Sequence, residues 1–308
     1  MEISKPNINL FIIGAAKSGT TSLYNYLQQH PNVFFPRVKE PHFYADVESN
    51  DPSAYIKPEP GKLYHEKIIN DKEVYEALYN EATSEKILAD ASPSYLWDDK
   101  AANRIYEDYP SAKIVILLRN PTERVFSHYL MDIRSGSQTL DDFILAIEKD
   151  QKAIPKGWGQ SHLYLELGFY SRQIARYLDL FGAQNVKIIL YDDFISETKK
   201  TLKDICKYLG INEKHISAID YNKVHNQYVA PRGKLSRFIL KYKNKSSFLK
   251  RLVPFSAKSF LNGKVLLKKQ KKPSLKESER LYLYDIYKED IKKTEQILNR
   301  DLSVWKQL

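Results

Sequence analysis

The chain of 308 residues has very little cysteine. It contains one cysteine, Cys206, which excludes an internal disulfide and a cysteine-based metal site. Its longest apolar runs, such as 10–13 and 114–118, are far shorter than the roughly 18 residues that a membrane span needs. The N-terminus also lacks a basic stretch followed by a signal-type apolar core. From these absences we expect a protein of the reducing cytoplasm.

Acidic residues are missing from one long stretch near the C-terminus. Residues 221–276 contain 16 lysines and arginines and no aspartate or glutamate, whereas the whole chain carries a net charge of +10. The rest of the chain is therefore slightly acidic. A block of one sign is typical either of a site that meets anions or of a solvated face. We call residues 221–276 the basic segment and keep both interpretations open.

Short apolar runs alternate with longer amphipathic stretches along most of the chain. The runs are continuously apolar, which favours strands buried on both faces of a parallel sheet. Strands are predicted at 10–13, 33–35, 86–90, 114–118 and 186–191, and helices at 20–29, 99–109, 121–131, 139–150, 170–181, 198–209 and 275–298. This order predicts an α/β fold, with a central parallel sheet flanked by helices on both faces.

We expect one domain over residues 1–308, because no linker is long enough to divide the chain. Two parts stand out from the alternating pattern. Residues 46–79 are polar and rich in tyrosine and proline, which predicts a surface insertion that shapes a substrate pocket. The basic segment predicts a cap over an anionic ligand or over the entrance for an acidic acceptor.

A loop of small residues joins the first predicted strand to the first predicted helix. Residues 14–22 read GAAKSGTTS. Backbone N–H groups at such a turn, together with the dipole of the following helix, favour a bound anion. A Walker A loop places its lysine directly after the last glycine, whereas Lys17 precedes Gly19 by two residues. The sequence therefore predicts a phosphate ligand but weakens the case for a magnesium nucleoside triphosphate.

A cation, Arg119, follows the predicted strand 114–118. A magnesium-dependent enzyme with a phosphate loop would need an acidic residue at a strand end of this kind. Because ligands of α/β folds bind at the carboxyl ends of strands, Arg119 is expected to bind a second phosphate group. A surface ion pair is the alternative interpretation.

These two motifs resemble those of the sulfotransferase family that uses 3′-phosphoadenosine 5′-phosphosulfate (PAPS). The segment similar to the family's 5′-phosphosulfate loop is Lys17, Ser18, Gly19, Thr20, Thr21 and Ser22, and the segment similar to its 3′-phosphate motif is Arg119, Asn120 and Pro121 with Arg124 and Ser127. The resemblance implies a fold like that of P-loop nucleotide kinases. It also implies PAPS as the donor, 3′-phosphoadenosine 5′-phosphate as the product, and no metal.

The same resemblance implies a role for each part of the donor site. Lys17 and the loop would neutralise the leaving phosphate, while Arg119 and Ser127 would bind the 3′-phosphate. Tyr170 is a candidate for stacking on adenine, although an aromatic residue at a helix start is more often part of a core. The stretch Arg232, Gly233 and Lys234 stands where the family places a basic cofactor-binding segment.

The segment from Glu40 to Phe43 resembles the heparan sulfate glucosaminyl 3-O sulfotransferases, in which the matching glutamate is the base. Glu40 is thus the predicted general base for the acceptor hydroxyl, and His42 is a second candidate. Lys39 is expected to tune the base or to touch the transferring sulfate. A plain turn with a solvent-facing carboxylate is the alternative. The polar stretch 90–95 is expected either to bind the acceptor or to stabilise the loop.

We therefore expect an enzyme that transfers a sulfuryl group to a hydroxyl or amine, most similar to soluble bacterial members of the family. The acceptor is expected to be a glycan, a glycolipid or a small hydroxylated metabolite, and no nucleic acid partner is expected. Two alternatives remain open. One is a P-loop kinase of a small metabolite, and the other is a basic RNA-binding or membrane-binding protein that relies on the basic segment.

Overall fold

A five-stranded parallel sheet forms the centre of the computed structural model, which describes residues 5–47, 64–65, 68–221, 229–233, 236 and 267–306. The strands are β1 (Ile8–Gly14), β2 (Val33–Phe34), β5 (Ile87–Asp90), β6 (Lys113–Leu118) and β7 (Val186–Leu190), in the spatial order β2-β5-β1-β6-β7. Strand β1 lies in the middle, so the loop that follows it opens at the centre of the carboxyl edge. The predicted central parallel sheet is confirmed.

Helices cover both faces of this sheet. Those described are α1 (Thr20–Leu27), α2 (Lys72–Ala77), α3 (Ser94–Trp97), α4 (Ala101–Asp108), α5 (Pro121–Ser135), α6 (Phe143–Gln151), α7 (Tyr170–Phe181), α8 (Tyr191–Ser196), α9 (Thr198–Leu209) and α10 (Glu277–Leu298). One apolar core joins the sheet to α1, α8 and α9. A larger core on the opposite face joins it to α3, α4, α5, α7 and α10. Alternate residues of the central strands point into each core, which explains their continuous apolar runs.

Capping residues set the bounds of the helices near the site. Helix α5 begins at Pro121 because the side chain of Asn120 accepts a hydrogen bond from Thr122 N, at 3.1 Å. It runs past the predicted end at 131 and stops only where Gly136 adopts a φ of 81°. Helix α6 begins later than predicted, because Asp142 caps it by accepting from Leu145 N.

Residues 46–79 are only partly a surface insertion. Residues 48–63, 66 and 67 lie outside the described part, and the pair β3 (Val38–Lys39) and β4 (Tyr64–His65) brackets them. From residue 68 onward the stretch is partly buried: Ile69, Tyr75 and Tyr79 are at most 3% exposed, whereas Asp71, Lys72 and Glu73 are exposed. The tyrosines that made this stretch look polar are part of the larger core.

The basic segment is described only at its two ends. Strand β8 (Val229–Pro231) pairs antiparallel with β9 (Leu267–Lys269), so a two-stranded ribbon joins the ends. The ribbon lies beside α5. Lys234 and most of the residues between the two strands lie outside the described part of the chain. None of the described helices is long and apolar enough to cross a bilayer.

Candidate functional site

The phosphate loop occupies the turn between β1 and α1. Ala15 N donates to Leu117 O at 2.7 Å, which fastens the loop to the neighbouring strand β6. Lys17 and Gly19 both have a positive φ, 70° and 97°. A Cβ at Gly19 would also lie 3.1 Å from the ring of Tyr191, so both the backbone conformation and the limited space favour glycine there. The loop is held in a tight, left-handed turn at the N-terminus of α1, as an anion cradle requires.

The side chain of Lys17 crosses from this loop to helix α5. Its Nζ lies 3.3 Å from Met131 Sδ. Its charge is close enough to His128 that it helps, after burial and Arg124, to lower the pKa of that imidazole to about 3. The predicted 5′ and 3′ motifs therefore meet at one place in the fold.

Arg119 lies at the end of β6, beside the phosphate loop. Its guanidinium is 3.5 Å from Lys17 O and 4.8 Å above the ring of Tyr191, with its side chain 14% exposed. Glu123, one turn into α5, faces it at 3.5 Å and also binds Arg280 at 2.6 Å. Ser127 is half-buried on the same helix. Arg119 is thus held at the crevice rather than on an open surface.

Two buried residues near the 3′ motif make hydrogen bonds within the protein. Tyr170 is 1% exposed, and its hydroxyl donates to Arg119 O at 2.9 Å, so its ring has no open face for adenine. This burial argues against the predicted stacking role. Arg124 is fully buried, and its guanidinium donates to Tyr164 O. Tyr170 therefore anchors the backbone of Arg119, and Arg124 links α5, the helix that carries Ser127, to the backbone of Tyr164.

Glu40 lies in the turn after β3 with a left-handed φ of 58°. Its Oε1 is 2.5 Å from Lys39 Nζ, and that ammonium is 3.3 Å from Thr21 Oγ1 of the phosphate loop. Both side chains of the ion pair are about a tenth exposed. One ammonium group therefore joins the predicted base to the loop. The sequence did not predict the position of the Lys39 ammonium, because its contact with Thr21 depends on how the end of β3 packs against the phosphate loop.

His42 is held more deeply than Glu40. It is 4% exposed, its Nδ1 lies 2.7 Å from Ser94 Oγ, and its backbone N donates to Ser92 Oγ at 3.2 Å. The ring of Trp158 lies 5.6 Å from the imidazole, centroid to centroid. Trp158 was not singled out in the sequence, and no local pattern marks it.

Asp90 lies behind this turn, at the carboxyl end of β5. It is fully buried and accepts hydrogen bonds from the hydroxyls of Ser92, Tyr75 and Tyr95 at 2.7, 2.9 and 2.8 Å. Burial raises the pKa of Asp90 to about 6, the three hydroxyl donors oppose that shift, and the charge of Glu40 adds to it. Of the two interpretations of the 90–95 stretch, loop stabilisation fits these contacts.

A second buried carboxylate, Asp132, ties a distant loop to helix α5. Its Oδ2 is 2.7 Å from His162 Nδ1 and 2.9 Å from the hydroxyl of Tyr164. Burial alone would lower the pKa of His162, but the hydrogen bond and charge of Asp132 outweigh burial and raise it. Asp150 accepts from the backbone N–H groups of the same two residues. These bonds hold the loop that carries Trp158.

The described ends of the basic segment approach the Arg119 side of the crevice. Lys272 is near enough to Arg119 that, after partial desolvation, the repulsion between them lowers its pKa. Arg232 and Gly233 are exposed at the start of the segment. A cofactor role for these two residues and for Lys234, which lies outside the described residues, stays a prediction. In the described ranges no group of three or more His, Cys, Asp and Glu side chains could hold a metal ion.

Comparison with known proteins assigns the family. The sequence model of the sulfotransferase family matches residues 9–215. The chain belongs to the sulfotransferase family. Carbohydrate sulfotransferase 15 of Homo sapiens is 24% identical over 248 residues, which cover 66% of this chain and 44% of that protein. Bifunctional heparan sulfate N-deacetylase/N-sulfotransferase 1 of Mus musculus is 28% identical over 225 residues, covering 70% of this chain and 23% of that protein.

The fold is also similar to a solved member of the family. The crystal structure of a sulfotransferase from Alicyclobacillus acidocaldarius is 28% identical with a TM-score of 0.69, covering 98% of this chain and 100% of that one. The expected sulfotransferase enzyme and fold are thereby confirmed, in preference to a metabolite kinase or a basic binding protein. The chain spans less than half the length of the two curated relatives.

Proposed function

We propose that this sulfotransferase moves the sulfuryl group of PAPS to a hydroxyl or amine of a carbohydrate-containing acceptor, with Glu40 as the base. The observation that carries the proposal is the position of Lys39, whose ammonium lies 2.5 Å from Glu40 Oε1 and 3.3 Å from Thr21 Oγ1. A base joined in this way to the phosphate loop lies beside the place where a transferring group would be held. Positioning of this kind supplies much of the rate in loose, in-line group transfer.

The donor side suits an anion that carries two phosphate groups. Lys17 and the left-handed loop converge at the start of α1, and Arg119 lies 3.5 Å from the carbonyl of Lys17. Lys17 with the loop amides would hold the 5′-phosphosulfate, and Arg119 with Ser127 would hold the 3′-phosphate. Arginine and lysine would supply the positive charge that magnesium supplies in kinases.

The proposed transfer needs only these residues, the donor and the acceptor. Glu40 takes the proton of the acceptor hydroxyl as the acceptor oxygen attacks sulfur. The bond between sulfur and the bridging oxygen of the donor breaks, and the electron pair stays on the 5′-phosphate. Lys17 and the loop stabilise the charge that develops on this leaving oxygen. Lys39 is placed to neutralise Glu40 before transfer and to contact the sulfuryl oxygens during it.

The geometry favours Glu40 over His42 as the base. His42 is 4% exposed and its Nδ1 is engaged with Ser94, which leaves it in the wall of the site. The Glu40 carboxylate is bound to an ammonium that already reaches the phosphate loop. We therefore assign His42 to the support of the turn that carries Glu40.

The residues near the proposed base suit a carbohydrate-containing acceptor. Trp158 is half-buried, and its ring lies 5.6 Å from His42, close to the proposed base. Flat aromatic rings beside a catalytic group commonly receive the apolar face of a ligand ring and leave its hydroxyls free. Two relatives are named for carbohydrate and heparan sulfate sulfation. A glycan, a glycolipid and a small hydroxylated metabolite all present the required hydroxyl.

The proposal is tested by the nucleotide that the protein recognises. Thermal unfolding is measured with 3′-phosphoadenosine 5′-phosphate and with ATP plus magnesium, both at the same concentration. We expect stabilisation by the bisphosphate without any metal, because ligands that bind the folded state raise its melting temperature. Stabilisation by magnesium ATP alone would overturn the proposed donor.

A further inference from the structure

The buried carboxylate Asp90 is used by no step of the proposed reaction. With Ser92, Tyr75 and Tyr95 it forms a cluster of one acid and three hydroxyls, all fully buried, which we call the Asp90 cluster. Every oxygen of the carboxylate is engaged: Oδ1 by Ser92 and Oδ2 by both tyrosines. A buried acid is costly unless such donors satisfy it, so its presence needs a reason beyond packing.

The cluster reaches the turn that carries the proposed base. Ser92 Oγ donates to Asp90 and accepts from the backbone N of His42 at 3.2 Å. Ser94, two residues further, holds the imidazole of His42 at 2.7 Å. The hydroxyl of Tyr95 in turn contacts Tyr44 N at 3.5 Å. The Glu40–His42 turn is therefore held in place by residues that lie 50 to 52 positions further along the chain.

The turn needs this external support because its backbone is strained. Glu40 and His42 have φ values of 58° and 57°, a region that non-glycine residues seldom adopt. Such conformations persist only where the surrounding structure determines them, and they concentrate at functional sites. Pro41 separates the two residues, and its carbonyl accepts from Ile69 N at 3.0 Å. Without Ser92 and Ser94 the turn would lose two hydrogen bonds to His42, one at its backbone N and one at its ring.

The ionised form of Asp90 explains the direction of these bonds. A carboxylate only accepts hydrogen bonds, so Ser92 directs its single proton to Asp90 and keeps its lone pairs for the N–H of His42. A proton on Asp90 would add a fourth donor to the cluster and compete for the same serine oxygen. The negative charge on Asp90 therefore favours the orientation of the Ser92 hydroxyl that leaves a lone pair for the N–H of His42.

We propose that Asp90, acting through Ser92 and alongside the separate contact of Ser94 with His42, is a positioning residue that holds the Glu40–His42 turn so that Glu40 faces the phosphate loop. The inference rests on the proposed function, because it takes Glu40 as the base. It goes beyond that function, because Asp90 touches neither donor nor acceptor in it.

The experiment compares Ser92→Ala, Ser94→Ala and Asp90→Asn with the unchanged enzyme. We expect kcat to fall by about 10- to 100-fold, the usual cost of misplacing a catalytic group by an ångström. The dissociation constant of 3′-phosphoadenosine 5′-phosphate should stay within about twofold, since the phosphate loop is untouched. Tyr177→Phe is the matched control: its buried hydroxyl donates to Tyr95 O at 2.8 Å and bypasses Asp90.

A double-mutant cycle separates positioning from a general loss of structure. If Ser92 acts through the base, Ser92→Ala should have little further effect on kcat once Glu40 is replaced by glutamine. Equal effects in both backgrounds would overturn the proposal, as would a loss of activity in Tyr177→Phe as large as that in Ser92→Ala. Failure of the unchanged enzyme to bind the bisphosphate would instead overturn the proposed donor. If Asp90→Asn does not fold, the two serine variants decide the question.

Discussion

The donor side and the acceptor side of this site are built in different ways. The donor side is formed by two contiguous motifs, 14–22 and 119–127, each a strand end followed by a helix start. The acceptor side is assembled from the turn at Glu40, the Asp90 cluster and the loop that carries Trp158. The donor side depends on the backbone geometry of its two motifs, whereas the acceptor side depends on side-chain contacts between segments that are distant in the sequence. Changes on the two sides should therefore alter different steps of catalysis.

The largest effect should come from removing the base on the acceptor side. In Glu40→Gln we expect kcat to fall by about 10²- to 10⁴-fold, the usual contribution of a general base. Binding of 3′-phosphoadenosine 5′-phosphate should be unchanged, and both quantities are measured with purified enzyme and a sugar acceptor. Glu81→Gln is the control, because Glu81 pairs with Arg37 on the surface. Retained activity would move the base to His42.

The second prediction removes a cation from the donor side. Arg119→Ala should weaken binding of the bisphosphate by about 10- to 100-fold, because charge-assisted bonds to phosphate are worth roughly 1.5–3 kcal/mol. The loss should be smaller for adenosine 5′-phosphate, which lacks the 3′ group, and calorimetry with both nucleotides measures it. Arg300→Ala should have no such effect, since Arg300 pairs with Asp193 on α8. Equal losses for both nucleotides would place Arg119 away from the 3′-phosphate.

The third prediction concerns the loop that faces His42. Trp158→Ala should raise the KM for a sugar acceptor by about tenfold, since an aromatic contact contributes roughly 0.5–1.5 kcal/mol beyond its buried area. Donor binding should not change, because no described contact joins Trp158 to the phosphate loop. Trp158→Phe, which keeps a ring, should recover part of the loss in steady-state assays. A change in donor affinity would contradict the division between the two sides.

The same division explains what the sequence could predict. The strands, the phosphate loop and Arg119 follow from local patterns, because a strand end, a small-residue turn and a helix start adjoin in the chain. The sequence predicted a role for Lys39 beside the base, but the hydrogen bond of Lys39 with Thr21 depends on how the end of β3 packs against the phosphate loop. Tyr75 seemed to belong to a polar insertion because a buried tyrosine with a bonded hydroxyl has the same composition as an exposed one. Trp158 lies near His42 because of long-range contacts that no local pattern reveals, among them the bonds of Asp132 and Asp150 with its loop.

The fourth prediction concerns stability, and it tests whether the acceptor side contains a buried charge. Because burial raises the pKa of Asp90 to about 6 from 3.8, the folded protein holds a proton there more tightly than the unfolded chain. The unchanged protein should therefore lose stability as pH rises between those two values, by up to about 1.4 kcal/mol per unit. Asp90→Asn lacks this titration, so urea unfolding should show its relative stability rising over the same range. A difference that does not vary with pH would mean that Asp90 is not desolvated.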